Sequence, residues 1–210
     1  LDLDTDAAPD VVVFSKPPLE VALTHIESGK MLRLIGVHAK SKAPHGARGA
    51  AEVMRVAIEN RRKQMAQCIW IRRRVDEHLD VGESLIVLGD FNDGPGIDEY
   101  EQLFGHSGVE IVLGTAHGAD TQLFDPHAAM ALQRRLGAQP TTARFFNRHT
   151  GRYLSALLDY IMVSPDLRTK GPDWCIWHPF DDPKCWRDQE LRDALLTASD
   201  HFPVVMDLPI

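Results

Sequence analysis

The apolar positions along this chain follow two spacings. Short strand-like runs occur at Leu32–Ser41, Leu85–Asp93 and Leu157–Ser164, and a fourth follows His201 and continues to about Leu208. Thr141–Phe146 reads as a further strand, leading to a hairpin around Asn147–Arg152. The second spacing spans Gly46 to about Leu79. There Val53, Met54, Ala57, Ile58, Met65, Cys68, Ile69 and Leu79 recur at intervals of three and four, the mark of one buried helical stripe. The spacing fits one long helix or two with a break. A strand, a helix and then another strand predict a layered α/β fold.

Elsewhere the pattern is weaker. Gly94-Pro95-Gly96 predicts a turn, followed by a short helical piece over Asp98–Phe104. Residues 105–150 are polar and rich in His, Gly and Arg. Trp174–Trp186 reads as a loop, its aromatics forming a hydrophobic rim or filling space beneath it.

The chemistry sits at the strand ends. Leu85–Gly89 is apolar, and then Asp90, Asn92 and Asp93 arrive together. Asp159 interrupts an apolar run, where an acid is costly unless paired. Asp200 and His201 stand side by side before the last strand, and extended neighbours face opposite ways, so the two can serve different partners. His38 and Lys40 close the run that begins at Leu32. Each has a plain alternative: turn formers after a strand, a surface histidine, or an acid paired with an arginine. The ordered set of His, Asp-x-Asn, Asp and Asp-His is far more specific than any member alone.

Length and composition bound the function. The 210 residues suit one domain spanning 1–210 with a proper core, and 44% hydrophobic and 25% charged residues are ordinary for a globular protein. A formal charge of −7 argues against a broadly basic nucleic-acid surface and suits a site that gathers divalent cations. Basic clusters at Asn60–Lys63 and Arg72–Arg74 read either as a phosphate-backbone contact or, more simply, as a solvated helix face balanced by Glu52, Glu59, Asp76 and Glu77. No apolar run approaches the ~20 residues of a membrane span. The expected localisation is soluble, leaning to the cytoplasm over export. Cys68, Cys175 and Cys185 have no metal-binding spacing and are expected as free thiols, the alternative being a loop closed by Cys175 and Cys185 in an exported protein.

The segments VHAKSK, GDFND, LDYIMVS and SDHFPVV resemble the ordered motifs of the endonuclease/exonuclease/phosphatase superfamily. The resemblance implies a deoxyribonuclease-like α/β fold, a layered β-sandwich flanked by helices. It implies an enzyme, a divalent-metal-dependent phosphoesterase acting by in-line attack of an activated water. Mg²⁺, or Mn²⁺ in its place, would be the cofactor. The substrate would be a phosphate ester, whether nucleic acid, phospholipid or sugar phosphate. By the same resemblance, Asp90 orients and deprotonates the water, Asn92 holds that water or a phosphate oxygen, and Asp200 joins Asp90 in the metal site. His201 binds a phosphate oxygen with Asp159 on its other nitrogen, and His38 is a second donor. Lys40 is an electrostatic helper or a plain surface lysine. Arg148, His149 and Arg152 are either substrate contacts or a polar hairpin tip.

The sequence also departs from the family. Val11–Phe14 and Leu19–His25 resemble the strands that precede the His motif in relatives, yet the family's early Asn and metal-binding Glu have no match before His38. Glu20 beside Pro17-Pro18 is not promoted to that role. The expectation is an N-terminally incomplete domain, with a sheet edge open to self-association. The alternative is an inactive binding module on the same scaffold.

Overall fold

A computed structural model describes residues 11–94, 105–133, 139–147 and 151–210. The short apolar runs build its centre. Strands β1 (Leu19–Thr24), β2 (Met31–His38), β3 (Leu85–Asp90) and β6 (Asp159–Val163) form one mixed sheet in the order β1-β2-β3-β6. β2 and β3 are parallel, and the outer pairings are antiparallel.

Helix α1 (Ala50–Asp80) makes the crossover between the parallel strands. It is one unbroken helix, which decides between the two readings of its spacing. Cys68, Ile71 and Val75 of α1 cover Ile35, Val37, Leu85, Val87, Tyr160 and Met162. Their neighbours Leu32, Leu34, Ile86, Leu88, Ile161 and Val163 point to the other face. There they meet Trp174 of β7 (Asp173–Ile176) and Met206 of β8 (Val204–Asp207), an antiparallel pair. With a layer on each face, the sheet is the mixed α/β sandwich that the motifs implied.

The remaining elements are α2 (Gly108–Leu113), α3 (Pro126–Leu132), α4 (Pro165–Arg168), α5 (Pro183–Arg187) and α6 (Gln189–Ala198). A hairpin of β4 (Ala143–Asn147) and β5 (Arg152–Ala156) stands apart from the main sheet. The three cysteines are free thiols.

Several expectations need correcting. Val11–Phe14 has no regular structure, so the first strand among the described residues is β1. Trp174–Trp186 is not a loop but holds β7, a turn and α5, and Trp174 is tied into the fold by donating Nε1–H to the Ile161 carbonyl at 2.9 Å. The basic clusters of α1 are not wholly solvated. Arg61 and Arg72 are buried, Arg72 donating to Asp76 and to the carbonyls of Val112 and Thr121. The helical piece expected at Asp98–Phe104, and Arg148 and His149 of the hairpin tip, lie outside the described residues.

One glycine is dictated by the pairing of β2 and β3. Gly89 has φ +130°, and a Cβ there would lie 2.0 Å from the Val37 carbonyl oxygen. No side chain fits that approach, so the residue before Asp90 must be glycine.

Candidate active site

The register of β3 against β6 sets the central fact of the site: Asp90 is paired directly with Asp159. Like charges opposite one another on adjacent strands are unfavourable. Burial pushes the Asp90 carboxyl above its ordinary range, and the nearby Asp159 charge adds to the rise. Such a pair needs positive charge nearby, and His201 provides some.

His201 Nδ1 donates to Asp159 Oδ2 at 2.8 Å. That hydrogen bond raises the imidazole above its ordinary value of 6.5, with the charges of Asp159, Asp90 and Asp200 acting in the same direction. Asp159 is fixed from behind. Thr142 Oγ1–H donates to its Oδ2 at 2.7 Å, while the Leu158 and Asp159 amides donate to Thr142 Oγ1. The buried Thr142 also orders the histidine loop, because its carbonyl accepts from the Phe202 amide at 2.7 Å. Next to it, the Arg144 amide donates to the Asp200 carbonyl at 2.7 Å.

Asp90 is held from its own turn. Asn92 adopts φ +48°, a left-handed conformation that asparagine tolerates, and this folds its side chain back. Its backbone amide donates to Asp90 Oδ1 at 2.7 Å and its Nδ2 to Asp90 Oδ2 at 3.0 Å. Nδ2 also donates to the Ala39 carbonyl at 3.1 Å, binding the ends of β2 and β3 together. The amide nitrogen of Asn92 is thus committed to orienting Asp90. His38 lies across from it, with Nε2 3.6 Å from Asp90 Oδ2.

Of the residues singled out in the sequence, the structure therefore brings together Asp90, Asp159 and His201, with His38 and Asn92 alongside. Ligand atoms of the first three lie within 4.8 Å of one another. Asp200 stays outside this group; its exposed side chain lines a neighbouring recess. Lys40 uses its backbone amide, donating to Gln67 Oε1 at 2.7 Å. Arg152 is exposed on β5. Glu20 is remote, paired with Arg74 across β1 and α1.

The recess measures about 670 Å³ and opens beside the histidine loop. Phe146, Tyr153 and Phe180 line it together with Arg144, whose guanidinium lies 3.9 Å from the Tyr153 ring centre and 4.9 Å from that of Phe180.

Sequence reading missed the residues that hold the strand mouths. Gln64, fully buried on α1, donates to the carbonyls of Phe91 and Asn92. Asn60 donates to the Ala43 carbonyl. Asp93 is completely buried, its carboxylate accepting from Lys42 at 2.5 Å, Arg61 at 3.2 Å and the Gly108 amide at 2.5 Å. The signal was available: Asn60, Gln64 and Gln67 fall at helical spacing beside the apolar stripe.

This donor set fits a small hard cation. Two carboxylates whose charges oppose one another across a strand pair would be relieved by a divalent ion, and Mg²⁺ needs only one or two carboxylates besides water. Among the described residues, no helix is long and apolar enough to cross a membrane.

Several solved structures are similar to this chain. The catalytic domain of human Nocturnin, solved with a bound sulfate anion, is 18% identical at a TM-score of 0.46, over 90% of this chain and 50% of that one. The Xenopus laevis APE2 catalytic domain is 18% identical at a TM-score of 0.50, over 89% of this chain and 52% of that one. An AP endonuclease from Archaeoglobus fulgidus is 13% identical at a TM-score of 0.45, over 92% and 72%. The chain thus spans about half the length of the first two, and likeness at these identities concerns the fold alone. No curated protein matches the chain. The model of the endonuclease/exonuclease/phosphatase family, however, matches residues 5–201, and the chain belongs to that family.

Proposed function

We propose that this chain is the catalytic domain, or the larger part of one, of a divalent-metal-dependent phosphoesterase. The observation that carries the reading is the Asp90–Asp159 pair with His201 bonded to it. A fold has little reason to set two carboxylates opposite each other at a strand mouth for stability alone. Family membership supports the reaction class.

In this reading Asp90 accepts the proton of the attacking water. Its raised pKa makes it a better base than an ordinary aspartate, and Asn92 fixes the direction of its oxygens. His201, kept protonated by Asp159, donates through Nε2 to an oxygen of the phosphoryl group as negative charge develops. His38 supplies a second N–H. A bound Mg²⁺ or Mn²⁺ would neutralise phosphoryl charge and stabilise the leaving oxygen, with Asp90 as its carboxylate holder. Asp200 would act on that centre from outside it, through its charge or through water. The recess offers room for the organic part of the ester, whether nucleotide, lipid headgroup or sugar.

Hydrolysis of bis-p-nitrophenyl phosphate with Mg²⁺, Mn²⁺ or EDTA tests the reading. Turnover that requires the metal supports it. No turnover with this ester or with nucleotide, lipid and sugar phosphodiesters would move the chain to the binding-module alternative.

The Asp159–His201 bond has a pH signature. His201 is raised in the folded protein, so its imidazolium, and the stability it contributes, is fully present below about pH 6.5 and lost as pH rises through the folded value. Activity that needs the imidazolium falls on the same alkaline limb. Asp159→Asn removes the main cause of the rise, so that limb moves to lower pH. Turnover should fall about tenfold, less than on loss of His201 itself, because an orienting group is disturbed. A pH–rate profile identical to the parent's would rule out the pairing as a working unit.

A further inference from the structure

The turn between β7 and α5 carries a buried histidine, His178, that takes no part in the chemistry described above. Its Nδ1 accepts from two backbone amides, those of Phe180 at 3.3 Å and Asp181 at 3.1 Å. A ring nitrogen that accepts carries no proton, so His178 is neutral with its N–H on Nε2. Nε2 stands 3.1 Å from Thr141 Oγ1 and donates to it in this tautomer. The hydrogen-bond pattern thus specifies one tautomer of one protonation state.

The ring is also a packing piece. It meets the Phe202 ring edge-on, 4.7 Å between centres, and the Phe180 ring at 6.0 Å. Phe202 follows His201, and its amide donates to the carbonyl of Thr142, the residue after Thr141. From the same turn, the Trp177 amide donates to the Pro203 carbonyl at 2.9 Å. His178 therefore touches both segments that aim His201 at Asp159, the Thr141–Thr142 pair through Nε2 and the histidine loop through Phe202. Phe180 and Phe202 line the recess as well.

A second proton is incompatible with this arrangement. An Nδ1–H cannot face two N–H donors, so the Phe180 and Asp181 amides would have to turn away. Asp181 Oδ2, 3.1 Å from Nδ1 on a mostly exposed side chain, would receive the new proton instead. Burial holds the imidazole below its ordinary value of 6.5; Asp181 opposes that shift, and Arg144 of β4 adds to it. Neutral His178 therefore contributes its full stability above about pH 6.5, and the contribution is lost as pH falls towards the folded value.

We propose that His178 is a positioning residue with a proton switch: neutral, it locks the loop that carries His201, and protonated, it releases that loop. This rests on the phosphoesterase reading and deepens it, by giving the site a control on its acid side from a group that touches no substrate.

The test is NMR of the ¹⁵N-labelled chain from about pH 8 to about pH 5, alongside turnover of the nitrophenyl diester with metal. At the upper end, His178 should show a bare Nδ1 and a protonated Nε2. On acidification the Phe202 amide signal should move with the same inflection as the His178 ring. His178→Asn keeps an acceptor where Nδ1 stands but takes no proton. There the Phe202 inflection should vanish and the acid limb of kcat should move to lower pH. His178→Ala removes the acceptor too and should lower kcat about tenfold or more below its melting temperature, as for a displaced catalytic group, with Asn restoring part of the loss. His117→Asn, at an exposed histidine, serves as the control and should alter neither the signal nor the rate.

A His178 ring protonated on Nδ1 at the upper end, or a Phe202 inflection that persists in His178→Asn, overturns the switch. So does a His178→Ala variant that melts earlier yet keeps the parent's kcat, since that is a structural role alone. The two readings fail separately. Coupled His178 and Phe202 signals in a chain without turnover support the switch while sinking the enzyme. Metal-dependent turnover with uncoupled signals overturns the switch and leaves the enzyme standing.

Discussion

Replacing Asp90 by Asn will lower turnover by about 10³-fold, the range expected when a positioned general base is lost. Thermal stability measured in EDTA will hold or rise. The two effects diverge because Asp90 is chemically useful and structurally awkward. It is partly buried, faces Asp159 across the strand pair and is ionised at a cost, since both burial and Asp159 push its carboxyl upward. An amide of the same shape removes that repulsion and with it the proton acceptor. His201→Ala should reduce turnover similarly without unfolding the chain, because its side chain is about one-third exposed. Turnover within tenfold of the parent in either variant would overturn the assigned roles.

Asp93→Ala will instead unfold the protein at lower denaturant, losing about 3–5 kcal/mol, as expected when one member of a buried charge cluster is removed. The Asp93 carboxylate is wholly inaccessible and joins three elements. Arg61 reaches it from α1, Lys42 from the segment after β2, and the Gly108 amide from the start of α2. Its backbone carbonyl is a further tie, accepting from the Tyr160 hydroxyl at 3.0 Å. Urea unfolding measures the loss directly. A change below about 1 kcal/mol would mean that the cluster is replaceable by water. Two aspartates three residues apart in one motif thus have opposite expected phenotypes.

That contrast marks how far the sequence could be read. The strands were legible because each is a short apolar run ended by a polar residue, and β2, β3 and β6 followed from it. The convergence of Asp90, Asp159 and His201 was legible because their residue types stand in a recognisable order. The task of Asp93 was not, since a carboxylate in a turn looks the same whether it faces solvent or a buried arginine. Arg61 misled for a related reason: one residue in a basic run carries no mark of burial, and only the distant Asp93 makes its burial tolerable. The β7 strand was hidden by aromatics and cysteines that lack clear alternation. Its partner β8 lies more than twenty residues further along the chain, beyond α5 and α6.

Strand β4 has two attachments whose combination matters. The backbone at Thr142 and Arg144 ties down the loop carrying Asp200 and His201, and the side chains of Arg144, Phe145 and Phe146 form one wall of the recess. In the proposed reading, the wall that would meet the substrate and the group that orients the imidazole therefore share a single short length of chain. A ligand that packs well against that wall would brace the histidine, and a poor fit would leave it slack. Discrimination between competing esters would then be expressed in the rate of the chemical step as well as in occupancy, with binding energy from the organic part of the substrate spent on alignment at phosphorus.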